Sequence, residues 1–231
     1  MTVIGVLQAD SVLPQFQPAH GNYPEMFEQL LTRPGVEVRH YNVVEGRYPD
    51  SLDDCDAYLI TGSKMSVYDD DPWIRALEAF VVRCDEAKKK LIGICFGHQM
   101  VAQALGGKTE PAGVGWGVGV HHYSRLPEAP DYIDDFSLVA SHKDQVTEVP
   151  RDATVIASSE FCPVAGMILG DHILTFQGHP EFTRDYSLDL MNMRRDILSE
   201  DVFTRGVASL EDTPHGDTVS NWVVRFLEEG A

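Results

Sequence analysis

A cysteine between two glycines is the feature of this sequence that most strongly suggests chemistry. The segment Gly93-Ile94-Cys95-Phe96-Gly97 follows an apolar run and precedes residues at helical spacing. Glycines on both sides allow a sharp turn from strand to helix, which would lift the thiol above the edge of a sheet. At the start of a helix, the positive end of the dipole favours the thiolate form. The spacing predicts that Cys95 is a nucleophile, the alternative being a buried structural cysteine beside packing glycines.

A histidine and a glutamate two residues apart offer the base that such a cysteine needs. His179 and Glu181 lie in Gly178-His179-Pro180-Glu181, directly after another apolar run. In extended backbone, side chains two positions apart point to the same side, so the carboxylate could fix the imidazole tautomer. The alternative is a surface loop that holds both residues by chance. None of the competing histidines combines this spacing with a predicted strand-end loop; they are His121, His122, His142 and His172.

These segments must be positioned by the elements around them, and the pattern of those elements changes at Gly107. Before it, apolar runs at 3–7, 36–44, 57–60 and 91–94 alternate with helical patterns, which predicts a parallel sheet covered by helices on both faces. After it, short strands follow one another and predict an antiparallel extension of the same sheet. Their ranges are 117–124, 137–141, 154–158, 163–169 and 173–177, and two closing helices are predicted at 186–198 and 218–227. The predicted fold class is therefore α/β, an open and mostly parallel sheet with an antiparallel extension.

Composition limits what the chain can do. Its 231 residues show no linker or repeat, which predicts a single domain, 1–231. A net charge of −18 argues against nucleic acid and against an anionic membrane surface as partners. No apolar run approaches the ~20 residues of a membrane span, and the N-terminus resembles a strand rather than a signal peptide.

The cysteines indicate the compartment. The four cysteines make no CxxC pair, so neither a zinc site nor a disulfide framework is predicted, and we expect a reducing, cytoplasmic location. The histidines show no metal-ligand spacing such as HxxxH. The chemistry of a cysteine, a histidine and a glutamate needs no cofactor and no metal.

Four segments in order resemble a known family, the class I (triad-type) glutamine amidotransferases. Two of them contain the cysteine and the histidine described above, the first extended to Gly93-Ile94-Cys95-Phe96-Gly97-His98-Gln99. The other two are Ile60-Thr61-Gly62-Ser63, which resembles the family's oxyanion loop, and Ser141-His142-Lys143-Asp144-Gln145-Val146, which resembles the segment that holds glutamine. The last is most similar to the version in the glutaminase domain of GMP synthetases. The resemblance covers almost the whole chain and implies a flavodoxin-like arrangement.

The resemblance also implies roles for individual residues. Cys95 would attack the γ-carboxamide carbon and form a thioester, His179 would move protons, and Glu181 would orient His179. The backbone N–H groups of Gly62 and Phe96 would form the oxyanion hole. Three further residues would lie near the α-amino and α-carboxyl groups of a small γ-glutamyl substrate: Gln99, Ser141 and His142.

The resemblance leaves the function divided among three hypotheses. In most amidotransferases a synthase domain consumes the released ammonia, and this chain ends at Ala231 without room for one. The favoured hypothesis is a stand-alone hydrolase of a γ-glutamyl amide, because the loop 64–73 is similar to that of stand-alone relatives such as γ-glutamyl peptidases. The alternatives are a glutaminase subunit serving a separate synthase subunit and a non-catalytic regulatory protein. Gly178 stands where the family has a bulkier residue, which predicts a more open pocket.

Overall fold

The computed structural model describes residues 1–228, which form eleven strands and seven α-helices. The strands are β1 (Thr2–Gln8), β2 (Val36–Asn42), β3 (Ala57–Ile60), β4 (Lys90–Ile94), β5 (Lys108–Pro111), β6 (Gly117–Arg125), β7 (Phe136–His142), β8 (Asp144–Glu148), β9 (Ala153–Ser158), β10 (Gly166–Leu169) and β11 (Ile173–Phe176). The helices are α1 (Gln17–His20), α2 (Tyr23–Leu31), α3 (Pro72–Glu86), α4 (Phe96–Ala104), α5 (Arg184–Met193), α6 (Glu200–Ser209) and α7 (Gly216–Glu228).

Nine of the strands form one sheet in the order β2-β1-β3-β4-β11-β10-β9-β6-β7. The first five strands of that order are parallel to one another, and each later neighbour pairs antiparallel. The remaining two strands, β5 and β8, form a separate antiparallel ribbon. The predicted fold class is confirmed: an α/β sheet with a parallel half and an antiparallel extension.

Alternating side chains of the parallel strands pack into two hydrophobic cores, one on each face of the sheet. Ile4, Ala57 and Leu59 belong to the core that includes residues of α2 and α7. Tyr58 and Ile60 belong to the core that includes residues of α3 and α4. Because successive side chains of a strand point to opposite faces, a fully apolar strand requires both faces to be covered. The helices on the two faces fix the carboxyl ends of β3, β4 and β11 in space.

The structure differs from the predicted elements at several points. The segment 11–23 carries Pro14, Pro18 and Gly21 and so resembles a loop in sequence, yet it contains α1 and the first residue of α2. Three lysines at 88–90 suit the negative end of a helix. However, α3 ends at Glu86, Lys88 has a positive φ of 52° and Lys90 begins β4. The prediction also lacked β5, β8 and α6, which are short or strongly polar and so carry little apolar periodicity. Within residues 1–228, the longest apolar helical stretches are too short or too polar for a bilayer.

Candidate active site

Cys95 occupies a strained turn between β4 and α4. Its backbone has φ 52° and ψ −100°, one of two non-glycine residues with positive φ among residues 1–228. Its N–H donates to the carbonyl of Phe176 at 2.9 Å, which ties the turn to the end of β11. A non-glycine residue keeps such a conformation only where its surroundings enforce it, and such strain is concentrated at functional sites. The turn is the strand-to-helix elbow predicted from the sequence.

The two glycines of the elbow are required by close packing. A Cβ on Gly93 would lie 2.6 Å from the carbonyl oxygen of Gly97, and one on Gly97 would lie 2.5 Å from the carbonyl oxygen of Ile60. Both distances are shorter than real Cβ contacts, and both obstructing atoms belong to the backbone, which cannot move aside cheaply. The N-terminus of α4 is therefore pressed against β3 and β4. This packing sets Cys95 at the carboxyl edge of the sheet.

His179 and Glu181 form a buried pair in the loop after β11. The Nδ1 atom of His179 lies 2.8 Å from Oε1 of Glu181, and the two side chains are 3% and 0% exposed. The N–H of His179 donates to the carbonyl of Val139 at 2.8 Å, which joins the loop to β7. The ring of Phe182 stacks on the imidazole, with centroids 3.9 Å apart and planes 5° apart. Backbone, carboxylate and aromatic ring together hold the imidazole in one orientation.

The surroundings of His179 favour its protonated form. Burial lowers the pKa of His179, but the negative charges of Glu181 and Cys95 and hydrogen bonds to both outweigh burial and raise the pKa to about 10. Nδ1 of His179 faces Glu181, and Cys95 and His179 both line the same cavity. The result is a row of three groups: thiol, imidazole and carboxylate. Such a row can accept a proton from a thiol and return it to a departing amine.

Gly62 lies directly against the imidazole. A Cβ on this glycine would be 2.8 Å from Cε1 of His179, so a side chain is excluded there. Gly62 follows the end of β3, and Phe96 is the first residue of α4, whose early N–H groups have no partner within the helix. The structure thus places the backbone of Gly62 beside the imidazole and that of Phe96 beside Cys95. Their service as an oxyanion hole stays a prediction.

A cavity of about 550 Å³ opens above these residues and gathers five of the predicted site residues. Its walls include Cys95, Gln99, Ser141, His142 and His179. Glu181 lies behind His179 and does not line the cavity. The walls include the loop after β1, the end of β7 with the start of β8, the elbow, the loop after β3 and helix α5 with its following turn.

Several buried polar atoms at the cavity have no partner. Asp144 is 6% exposed, and its Oδ2 accepts hydrogen bonds from Ser66 at 2.5 Å and Tyr68 at 3.1 Å, while Oδ1 has none. The Nδ1 of His142 lies 3.1 Å from the carbonyl of Asp144, and its Nε2 is buried without a partner. Burial lowers the pKa of His142 to about 3, so its imidazole is neutral. Buried polar groups normally have partners, so these atoms indicate a polar ligand.

A guanidinium on the opposite wall carries positive charge into the cavity. Arg194, at the end of α5, donates to the Oγ of Ser141 at 2.6 Å and lies over the ring of Trp116, 5.0 Å from its centroid. Within residues 1–228, no carboxylate lies within ion-pair distance of Arg194. By contrast, Lys64 is paired with Asp10 at 2.8 Å on the cavity rim. Arg194 is thus the half-buried cation of the wall that is available to an anionic ligand.

Sequence reasoning missed Asp144 and Arg194 as site residues. Asp144 stands in the segment that resembles a glutamine-holding sequence, three residues after Ser141, so its position was a usable signal. Arg194 lies in a predicted helix without any motif, and only the fold brings it to the cavity. The expectation for Gly178 was wrong. A Cβ there would lie 2.7 Å from the Cβ of Leu138, so this glycine faces the sheet and does not enlarge the cavity. Within residues 1–228, no group of three potential metal-binding side chains occurs.

The comparison with known proteins agrees with this geometry. The profile of the family "Glutamine amidotransferase class-I" matches residues 22–188. The chain belongs to this class-I glutamine amidotransferase family and is an enzyme that acts on amide bonds. It is similar to "Gamma-glutamyl peptidase 3" of Arabidopsis thaliana, with 32% identity over 212 residues, 87% of this chain and 85% of the relative. It is also similar to "GMP synthase [glutamine-hydrolyzing]" of Streptococcus pneumoniae, with 25% identity, 83% of this chain and 39% of the relative.

Solved structures share the fold. A glutamine amidotransferase from Thermotoga maritima superposes with a TM-score of 0.73 at 17% identity, covering 98% of this chain and 96% of that one. One from Methylobacillus flagellatus superposes with a TM-score of 0.71 at 20% identity, covering 100% and 96%. At these identities the likeness concerns the fold.

Proposed function

We propose that this protein hydrolyses the γ-amide of a γ-glutamyl compound through a thioester on Cys95. The observation that supports the proposal most strongly is the strained elbow at Cys95 in contact with the buried pair His179–Glu181. Family membership supports amide hydrolysis at a coarser level. The name of the Arabidopsis relative, a γ-glutamyl peptidase, supports a γ-glutamyl substrate with an amine or peptide as leaving group.

The steps follow from the positions of the groups. His179 holds the thiol proton of Cys95 while the sulfur attacks the amide carbon. The oxyanion that forms is met by the N–H groups of Gly62 and Phe96. His179 then donates its proton to the nitrogen as the C–N bond breaks, which leaves a thioester and a free amine or ammonia.

Water completes the cycle. His179, now neutral, takes a proton from a water molecule, and the resulting oxygen nucleophile attacks the thioester. The C–S bond breaks, the γ-carboxyl group of glutamate leaves and releases its remaining proton to solvent, and the thiolate of Cys95 is restored beside the protonated imidazole. Glu181 keeps the imidazole oriented throughout and stabilises its positive charge.

The charges of the cavity suit the zwitterionic end of a γ-glutamyl group. We assign Asp144 to the α-ammonium, because its Oδ1 is buried, has no partner and belongs to a wall residue. We assign Arg194 to a carboxylate of the substrate, because it is the half-buried cation of the wall, whereas Lys143, which also lines the cavity, is exposed. Gln99 and His142 complete the polar wall; Nε2 of Gln99 donates to the carbonyl of Asp144 at 2.8 Å, which fixes the turn between β7 and β8. These assignments require both charges of the substrate to be present.

The wider setting of the proposal is a single domain, 1–231, working in the cytoplasm. All four cysteines are free and buried within the described part of the chain, which supports a reducing compartment. A second candidate, delivery of ammonia to a separate synthase partner, is favoured by the similarity to a glutamine-hydrolysing GMP synthase. The two candidates share the chemistry at Cys95 and differ in the fate of the nitrogen.

The test measures ammonia from glutamine and amine from γ-glutamyl dipeptides with the purified chain. The variants are Cys95→Ala and, as a matched control at another buried thiol, Cys162→Ser. We expect turnover by the wild type and by the control, and none by Cys95→Ala. Intact-mass spectrometry after rapid acid quench should show a glutamyl adduct on the wild type and on Cys162→Ser, and none on Cys95→Ala.

The outcomes separate the candidates. Turnover by Cys95→Ala would refute the proposed mechanism. Labelling of Cys95 by a glutamine-like electrophile without turnover of any γ-glutamyl compound would support the ammonia-delivering alternative, in which activity waits for a synthase partner. Absence of both labelling and turnover would refute both candidates.

A further inference from the structure

A second cavity, of about 540 Å³, lies beside the first one. It is bounded by the start of β6, helix α6 and the loop around Phe161. About half of its wall is apolar, and this half includes three aromatic or aliphatic surfaces from separate elements: Trp116, Phe161 and Val202. Helix α6 packs closely on β6, since a Cβ on Gly206 of α6 would lie 2.7 Å from the side chain of Val118. The β6 and α6 sides of the cavity are therefore fixed by packing within the fold.

The wall of this cavity carries one carboxylate and one guanidinium. Glu160 and Arg205 both line it. Arg205 is paired with Asp201 at 2.7 Å, but the two side chains are 71% and 76% exposed, and ion pairs so exposed are weak. Within residues 1–228, no cation lies within ion-pair distance of Glu160. The other polar residues of the wall are His121 and Ser209. A wall that is half apolar and also carries one carboxylate and one guanidinium suits a zwitterion with an apolar side chain.

The ring of Trp116 contributes to both cavities and stands between them. It lines the first cavity together with Arg194, whose guanidinium lies over it, and the second together with Phe161. Occupation of the second cavity would therefore be sensed by the fluorescence of this indole, whether or not the first cavity is filled.

We propose that the second cavity binds a free apolar α-amino acid, with its carboxylate on Arg205, its ammonium on Glu160 and its side chain between Trp116, Phe161 and Val202. This site is distinct from that of the γ-glutamyl group and does not depend on the reaction proposed for Cys95. Apolar burial of a leucine- or phenylalanine-sized side chain supplies the attraction, and the paired charges select the zwitterion.

Titration calorimetry and tryptophan fluorescence test the proposal with L-phenylalanine and L-leucine as probes. Phenylacetate lacks the ammonium and phenethylamine lacks the carboxylate, so both serve as analogues that remove one charge. We expect one molecule of either amino acid per chain, a change in tryptophan emission, and binding at least about tenfold weaker for each analogue, as expected for the loss of one charged hydrogen-bonded contact. The same titration is carried out on wild-type protein whose Cys95 carries a glutamine-like electrophile.

Variants locate the site. Val202→Trp should fill the cavity and abolish binding, whereas Ala208→Trp, an exposed position of the same helix, should leave it unchanged. Arg205→Gln and Glu160→Gln should each weaken binding about tenfold. Retained activity, or retained labelling of Cys95, shows that a variant is folded.

Three results would overturn the proposal. The first is that neither amino acid binds at tens of millimolar. The second is that phenylacetate and phenethylamine bind as tightly as the amino acids, and the third is that Val202→Trp binds them as tightly as the wild type. Loss of binding after Cys95 is labelled would place the amino acid in the first cavity instead. Failure of γ-glutamyl hydrolysis would leave the binding measurement intact, so the two proposals fail separately.

Discussion

Replacing Cys95 by glycine and by alanine measures the strain stored in the elbow. Both variants lack the thiol, so they differ only in whether a Cβ must occupy φ 52° and ψ −100°. A residue held in a sparsely populated region costs about 1–3 kcal/mol, and glycine adopts this conformation freely. Against that relief, the change from alanine to glycine loses about 0.8 kcal/mol of methyl burial and about 0.4–1 kcal/mol through the unfolded chain.

The same pair of substitutions at a control site allows the burial and unfolded-chain contributions to be subtracted, so that the backbone strain remains. Cys84 is fully buried within α3, where the change from alanine to glycine costs about 0.8–1.0 kcal/mol in helix propensity plus a similar loss of burial. The losses at the two sites nearly cancel when the two differences are subtracted. The alanine-to-glycine change at Cys95 should therefore be more favourable than that at Cys84 by about 1–3 kcal/mol.

Urea unfolding of the four variants gives these free energies of unfolding. In thermal unfolding, the midpoint temperature of a chain of this size should shift by about 2–4 °C for each kcal/mol. Wild-type midpoints provide the reference. If glycine is as unfavourable relative to alanine at Cys95 as at Cys84, the backbone of Cys95 carries no strain and the elbow argument fails.

Three further predictions concern the site. Glu181→Gln should move the basic limb of kcat/KM, expected near the His179 pKa of about 10, to lower pH by about 1–3 units, because the imidazolium is lost earlier once the carboxylate charge is gone; an unmoved limb in the pH profile would contradict the pairing. Asp144→Asn should raise the KM for glutamine about tenfold or more with a smaller change in kcat, since it removes a charged contact to the ammonium, whereas an unchanged KM in steady-state assays would remove Asp144 from the binding site. Gly97→Ala should destabilise the fold by about 1–3 kcal/mol in urea unfolding, because the new Cβ would lie 2.5 Å from the Ile60 carbonyl; full stability would show that α4 can move away from β3.

The sequence predicted the catalytic-looking segments well because local rules govern them. The elbow needs a strand, a helix and two glycines around Cys95, all within a short stretch of chain. The pair His179–Glu181 depends only on spacing in extended backbone. Both were recognisable without knowledge of the fold, and the structure brings them into contact.

The rest of the site could not be found in this way. Asp144 is held at the cavity by Ser66 and Tyr68, which lie far from it in sequence. Arg194 reaches the cavity because α5 packs beside β7, and its bond to Ser141 joins residues 53 positions apart. Such contacts depend on tertiary packing, and a single sequence has no periodic signal for them. The same reasoning explains why the polar strand β8 was missed.

The place of β11 in the sheet has a consequence for how the protein is made. It is the last strand to be synthesised, yet it occupies the middle of the sheet and joins the parallel half to the antiparallel half. A chain emerging from the ribosome must therefore leave a gap between β4 and β10 until residue 176 is free, with the edges of both strands unpaired. During the same interval the thiol of Cys95 has no imidazole beside it, because His179 has not yet emerged. The same late segment therefore completes both the sheet and the site, because β11 fills the gap and His179 follows it directly.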